Sequence, residues 1–338
     1  MESSNISESP TNATGNRGDL YNGPQLVLFF LFSAPTLVLS ALNIIAIIRA
    51  KDLQQKVQSI LISIFVSEIF TSLALSLIFL AHPIRELLQL NLEASLYLCG
   101  VTIALLILGG AVKVGSITFY SIFVYIFIKK GIESVKWWAV ALPLGVVWAV
   151  SLPFSMIIFV FIQGSSASAF VFKGFCPIDL MPNEDDVTTG MRSLSQLGVA
   201  WLLEGFLCGS IIAVFCVLTY RYMKKRCISE SSSVKRAIAN NVLFLGAGAF
   251  VTISNATLYP TILELVKLLK AHSSEDQVSI TELLITNYII DILRCASSLF
   301  TPVVTLALVK PVWKAAQELF GKCCCCCCCL LKLRRHAE

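Results

Sequence analysis

Apolar stretches long enough to cross a membrane alternate with short polar segments along most of the chain. A helix rises about 1.5 Å per residue, so roughly twenty apolar residues cross the ~30 Å hydrocarbon core of a bilayer. Seven stretches meet this requirement: 25–48, 57–81, 95–128, 137–163, 194–220, 237–263 and 281–309. The pattern therefore predicts an all-α membrane protein, folded as a seven-transmembrane helix bundle over residues 24–309.

The segment before the first apolar stretch, residues 1–23, is polar and contains no apolar core of a signal peptide. It contains two glycosylation sequons, at Asn5 and Asn12. Two interpretations are open: an exposed, glycosylated extracellular tail, or chance sequons in a segment rich in Ser and Asn. The first interpretation is favoured.

The segment after the last apolar stretch divides into two parts. Residues 310–321 place apolar side chains on one helical face, which predicts a short amphipathic helix at the membrane interface. Residues 322–338 form a basic tail with seven consecutive cysteines, 323–329. Juxtamembrane cysteines are typical sites of S-palmitoylation, here beginning with Cys323, Cys324 and Cys325. Metal binding by the thiolates is the alternative, but consecutive residues cannot all face one ion.

Composition excludes an ordinary soluble domain. Of the 338 residues, 56 % are hydrophobic and only 14 % are charged. The net charge of +5 does not by itself indicate a nucleic-acid partner, because in a membrane protein the position of the positive residues matters more than their sum. The expected contacts of the basic segments are membrane lipids.

The distribution of Lys and Arg predicts the orientation. Eighteen of the 26 fall in one set of segments: 49–56, 129–136, 221–236 and the tail from Lys310. By the positive-inside rule these segments are cytoplasmic and the N-terminus is extracellular. Only Cys99 and Cys176 then lie on the oxidising side, so a Cys99–Cys176 disulfide is predicted.

With this topology, the chain resembles the rhodopsin-like (class A) G-protein-coupled receptors, of an orphan or chemosensory type. Asn43, Glu68, Trp148 and Pro302 stand where that family has polar, tryptophan and proline positions in spans one, two, four and seven. The resemblance implies a plasma-membrane receptor for an extracellular small molecule, coupled to a heterotrimeric G protein. Val124 stands where the family has the arginine that contacts the G protein.

Five ionisable residues lie inside apolar stretches: Glu68, Lys113, Glu204, Asp291 and Arg294. A charge in the bilayer interior costs several kcal/mol unless it is paired or hydrated, so each is expected to face the interior of the bundle. Such residues are candidates for function.

Glu68 and Lys113 form the first group. On the resemblance, Lys113 lies where the third span of the family helps to bind a sodium ion beside the second-span acid. Its ammonium would replace that ion and pair with Glu68, so ligand binding is expected to be insensitive to sodium. Two roles stay open: a fixed ion pair that joins the second and third spans, or a pair that breaks on activation.

The second group is Asp291, Arg294 and Glu204. Asp291 and Arg294 are three residues apart, which places them on one face of a helix. The resemblance implies that this depth holds the ligand, with Glu204 nearby in the upper fifth span. A small polar or zwitterionic ligand would suit such a site. Mutual neutralisation of Asp291 and Arg294 without a ligand is the alternative.

No motif of an enzyme active site is present, so no catalytic residue, metal or cofactor is predicted and the protein is not expected to be an enzyme. The preferred function is that of a ligand-activated receptor. Two alternatives remain: a seven-span transporter or channel subunit, in which the buried charges line an ion path, and a non-signalling decoy receptor.

Overall fold

Helices account for almost all of the residues that the structure describes. The computed structural model describes residues 25–51, 53–130, 135–163, 170–173, 176–179, 206–222 and 280–323. The chain is an all-α membrane protein, and its described part also contains one small β-hairpin. The predicted tail 1–23, the predicted sixth span 237–263 and most of the tail 322–338 lie outside these residues.

The described elements are numbered here in chain order. Helices α1 to α8 are Gln25–Arg49, Gln55–Phe79, Ala81–Leu88, Leu92–Lys130, Trp138–Gln163, Phe206–Tyr222, Ile280–Leu308 and Lys310–Cys323. Strands β1 and β2 are Phe170–Lys173 and Cys176–Asp179, and they pair antiparallel. Helix α1 includes one π-helical turn, Phe29–Ser33, just before Pro35. A proline lacks the N–H that a helix needs, which accounts for the irregular turn there.

Four of the described helices, α1, α2, α4 and α5, are long and apolar enough to cross a membrane. Part of α7 and most of α8 form a pair bent by 93°, which counts as a fifth candidate span. Helix α6 is apolar but shorter. These helices confirm that the protein is embedded in a membrane, and the seven-span bundle stays a prediction.

Two elements lie between the predicted spans. Helix α3 follows α2 almost directly and ends at Leu88. The next residue, Gln89, caps the helix in a left-handed conformation with φ 47°. Strands β1 and β2 lie in the long segment after α5, and β2 contacts α4. The hydrophobic pattern predicted neither element, because both are too short to produce a periodic signal.

Helix α2 lies at the centre of the described bundle, in contact with α1, α4, α5 and α7. The main apolar core lies at the ends of these helices that are nearest to α8, called here the inner ends, and includes Ile47, Phe65, Ile117 and Val124. Every one of these four side chains is at most 4 % exposed. This cluster therefore forms the apolar inner end of the described bundle.

Helix α8 packs its apolar face against the inner end of α1. Its buried side chains Val312, Ala315 and Ala316 belong to the same apolar core as Ile47. Lys310 and Lys314 are exposed on the opposite face. The amphipathic helix expected over residues 310–321 therefore extends to Cys323.

Candidate functional site

The centre of the described bundle contains a buried ion pair. Lys113 Nζ of α4 contacts Glu68 Oε1 of α2, and the two residues are 5 % and 0 % exposed. A buried charge is tolerated only when it has a partner, since removing one member leaves an uncompensated charge in a medium of low dielectric constant. The two helices are therefore joined at this point by opposite charges.

The carboxylate of Glu68 also has a partner on a third helix. Ser298 Oγ of α7 donates a hydrogen bond of 2.7 Å to Glu68 Oε2. Hydrogen bonds to an ionised group are stronger than those between neutral groups. One carboxylate thus links α2, α4 and α7 by one ion pair and one hydrogen bond.

A close approach of two backbones brings Lys113 within reach of Glu68. Gly109 lies one turn outward of Lys113 on α4. A Cβ atom at Gly109 would overlap Thr71 Oγ1 and would lie 2.7 Å from the carbonyl oxygen of Ser67 on α2. Glycine is therefore required for α4 to lie this close to α2, a common device where transmembrane helices pack tightly.

Asn43 connects α1 to α7 on the inner side of the ion pair. Its Nδ2 donates to the carbonyl oxygen of Pro302 at 3.2 Å and to that of Leu39 at 2.8 Å. Asn43 thus joins α1 to α7 through a hydrogen bond from its side chain to the backbone of α7.

A second polar contact joins α2, α4 and α5. Trp148 Nε1 donates to Ser63 Oγ at 3.0 Å, and Ser63 shares a hydrogen bond of 2.9 Å with the hydroxyl of Ser116. The ring of Trp148 also contacts that of Phe70 edge-on, with centroids 6.1 Å apart. This contact fixes α5 against α2.

The residues predicted to bind a ligand are only partly described. Asp291 and Arg294 both lie in α7, and Arg294 is half-buried. The side chain of Asp291 and the whole of Glu204 lie outside the described residues. The ligand site therefore stays a prediction.

The predicted disulfide and modification sites fall mostly at the edges of the described chain. Cys99 is disulfide-bonded, and β2, which begins at Cys176, contacts the helix that contains Cys99. The pairing of these two cysteines stays a prediction. So do glycosylation of Asn5 and Asn12 and palmitoylation of Cys323, Cys324 and Cys325, because these side chains lie outside the described part.

Sequence reasoning missed the hydroxyl groups around the ion pair. Ser298 directly follows another serine, Ser297, in an apolar span. A serine in a span usually bonds to its own helix, as Ser297 does when it donates to the carbonyl oxygen of Arg294. One signal could have identified it: Ser298 lies four residues after Arg294 and four before Pro302, on the same helical face as both.

No protein-family model matches the chain, and no curated protein matches it.

Proposed function

We propose that the protein is a seven-helix receptor of the plasma membrane that binds an extracellular small molecule and signals to a heterotrimeric G protein. Its domains would be a glycosylated tail 1–23, a bundle 24–309, an amphipathic helix 310–321 and a cytoplasmic tail 322–338. The observation that carries the proposal is the link of α2, α4 and α7 through Glu68.

This link suits a device with two alternative packings. A buried ion pair has a strongly favoured closed geometry, and its separation requires that the charges find other partners or water. Packed helices with such a contact change between discrete arrangements rather than deform continuously. A ligand that prefers one arrangement would shift the population between them.

Helix α7 supplies a route from the outer side to the pair. Arg294 lies one turn outward of Ser298 on the same face, and Asp291 lies one turn farther out. A ligand held at Asp291 and Arg294 would displace α7 and change the hydrogen bond between Ser298 and Glu68. The ligand signal would thus reach the ion pair through a single helix.

The inner end of the bundle supports membrane attachment and a cytoplasmic partner. Lys310 and Lys314 of α8 are exposed, where they would meet anionic lipid head groups. Lys129 Nζ lies 5.8 Å from the centre of the Tyr125 ring at the inner end of α4. Val124, which stands where the resembled family has its arginine, is 4 % exposed. A G protein would therefore need contacts other than that arginine.

One observation favours the second candidate, a transporter or channel subunit. Helix α2 buries Ser63, Ser67, Thr71, Ser72 and Ser76 together with Glu68 along its length. A row of buried hydroxyl groups beside a carboxylate is one way to line an ion path. A transporter or channel would produce uptake or current in cells, whereas a receptor would recruit a G protein.

Recruitment of G proteins in cells, screened against a panel of small polar metabolites, tests the proposal. A receptor gives recruitment with at least one compound, without current or uptake. Current or uptake without recruitment would support the transporter or channel. Silence in both assays, from protein shown to be at the cell surface, would support a decoy receptor.

A charge exchange supplies the matched control. The double variant Asp291→Arg/Arg294→Asp keeps both charges on α7, so surface expression should be preserved. The response to an active compound should be lost if these residues bind it. A full response from the exchanged variant would contradict their assignment to the ligand site.

A further inference from the structure

Helix α1 contains one irregular turn near its outer end. Ala34 donates its backbone N–H to the carbonyl oxygen of Phe29, five residues earlier, so Phe29–Ser33 is a π-helical turn. Across this turn, the spacing between the buried residues Leu28 and Ser33 is five. Inward of the turn, a row of buried residues follows at the ordinary helical spacing of three or four: Ser33, Thr36, Ser40, Asn43 and Ile47. The turn therefore contains one residue more than a regular helix would.

The additional residue keeps Leu28 and Ser33 on the same side of α1. In a regular helix, residues five apart point about 140° away from each other. Both side chains are nevertheless buried, at 3 % and 2 % exposure. Ser33 Oγ donates to the carbonyl oxygen of Ser72 and lies 2.7 Å from the hydroxyl oxygen of Ser76, both on α2. The π-turn thus allows the outer end of α1 to face the bundle.

Leu28 joins the outer end of α1 to α7. It belongs to an apolar cluster with three other buried residues: Leu75 and Phe79 of α2 and Cys295 of α7. Ile292 of α7 packs against the same cluster. Ile292 and Cys295 are the sequence neighbours of Asp291 and Arg294. The outer end of α1 therefore contacts the part of α7 in which the ligand residues are predicted.

Opposing effects bring two forms of this turn close in free energy. The π-turn is the rarer form, and a regular turn is the usual preference of the backbone. Pro35 opposes the regular turn, because its ring would lie against the carbonyl group four residues earlier, that of Leu31. Leu28 favours neither form strongly, since lipid accepts an exposed leucine about as readily as the bundle does. Neither form of the turn is therefore strongly preferred.

We infer that the turn Phe29–Ser33 is a register switch in α1. In its π form it holds Leu28 against Cys295 of α7. In a regular form, the segment outward of the turn would rotate by about 100°, the angle of one residue, and Leu28 would leave the cluster. Helices that change register by one residue move between two discrete packings, and α7 would lose its contact with α1 in one of them.

The role of this switch in ligand binding rests on the proposed function. A compound held by Asp291 and Arg294 would favour the form of the turn that fits its position of α7. The two forms themselves need neither a ligand nor a G protein. The switch can therefore be tested, and can fail, independently of the receptor proposal.

Distances between spin labels measure the rotation. One label replaces Val27, which is 51 % exposed outward of the turn, and the other replaces Val160 of α5, which is 64 % exposed. The labels are carried on unnatural amino acids, because the thirteen cysteines of the chain exclude thiol labelling. On a helix about 10–12 Å across, a rotation of about 100° moves an exposed side chain by about 8 Å. The full-length protein in lipid nanodiscs should give two distance populations.

A label inward of the turn is the matched control. Val38 of α1 is 59 % exposed, and its distance to Val160 should have a single population. A single population for Val27 as well would mean that the π-turn is static, which overturns the inference. Two populations for both pairs would also overturn it, because α1 would then move as a whole.

Deletion of one residue tests the register directly. Deletion of Leu31 leaves four residues between the positions of Leu28 and Ser33, so a regular turn would keep both on the same face. Deletion of Ala41, an exposed residue in the regular part of α1, rotates everything outward of it by about 100°. Both deletions carry Pro35→Ala, so that no proline ring opposes the regular turn.

The two deletions should differ strongly in stability. Deletion of Leu31 should change Tm by less than about 3 °C and leave a single Val27–Val160 distance, whereas deletion of Ala41 should lower Tm by about 10 °C or more. Equal losses of Tm, or two distances after deletion of Leu31, would overturn the inference. A compound active in the recruitment screen should shift the two wild-type populations, and no shift would overturn the coupling to the ligand residues while the switch itself stands.

Discussion

Helices α2 and α5 have nearly the same length, 25 and 26 residues, and both have the sequence of a simple apolar span. They differ in burial. In its most apolar window, α2 is 67 % buried, whereas α5 is 22 % buried. Helix α2 turns Glu68 and several hydroxyls inward. Helix α5 turns apolar side chains such as Leu142 and Val150 outward, at 64 % and 65 % exposure.

The difference shows what the membrane changes. In lipid an exposed leucine costs nothing, so α5 can present an apolar face to its surroundings. Polar side chains lie in the interior of the bundle, where hydrogen bonds and small residues determine which helices pack together. The buried face of α2 therefore determines the arrangement of the bundle, and α5 provides mainly a lipid-facing wall.

The largest expected effect comes from removing one charge of the ion pair. Glu68→Ala or Lys113→Met should lower the free energy of unfolding by about 3–5 kcal/mol, because the remaining charge is buried without a partner. Unfolding of the full-length protein in micelles measures this. Glu93→Gln, an exposed acid on α4, is the matched control and should change stability by less than about 0.5 kcal/mol. Equal effects at the two sites would contradict the buried pair.

The next effect tests the close approach of α2 and α4. Gly109→Ala should cost about 1–3 kcal/mol, because the new Cβ would overlap Thr71 Oγ1 and the backbone of α2. Gly145→Ala on α5 is the control, since nothing lies within 4 Å of its added Cβ. It should be neutral or stabilising by up to about 1 kcal/mol. If Gly109→Ala and Gly145→Ala changed stability by similar amounts, the close approach of α4 to α2 would be contradicted.

A smaller effect is expected where α7 meets the pair. Ser298→Ala removes the hydrogen bond to Glu68 Oε2 and should cost about 1–2 kcal/mol, a value at the upper end for hydrogen bonds between membrane helices. Ser155→Ala on α5 removes only a bond to the carbonyl of Leu152 and should be near neutral. If Ser298→Ala were also neutral, α7 would not be linked to the pair in this way.

The smallest loss of stability is expected at the hydrogen bond between α5 and α2. Trp148→Phe keeps an aromatic ring beside Phe70 but loses the hydrogen bond to Ser63. The expected cost is about 0.6 kcal/mol, the average for such bonds between membrane helices. A stability assay with precision of a few tenths of a kcal/mol is sufficient. A cost above that of Ser298→Ala would mean that α5 contributes more to the polar core than α7 does.

The sequence predicted the helical membrane class because long apolar stretches have few alternatives. It also singled out Glu68 and Lys113, since charges inside apolar spans are rare. It did not predict that Ser298 bonds to Glu68. The position of Ser298 on the helical face of Arg294 and Pro302 was a signal, but that position alone does not separate an interhelical bond from one within the same helix. Helix α3 and the hairpin were missed because tertiary contacts, rather than a repeating pattern, determine such short elements.

A double-mutant cycle at Glu68 and Lys113 tests the central claim that this buried pair joins α2 to α4. In Glu68→Ala/Lys113→Met both charges are removed, so no uncompensated charge remains. The double variant should recover most of the stability lost in the single variants, with a coupling of about 2–3 kcal/mol or more. Single losses that simply add, with no recovery, would contradict the claim.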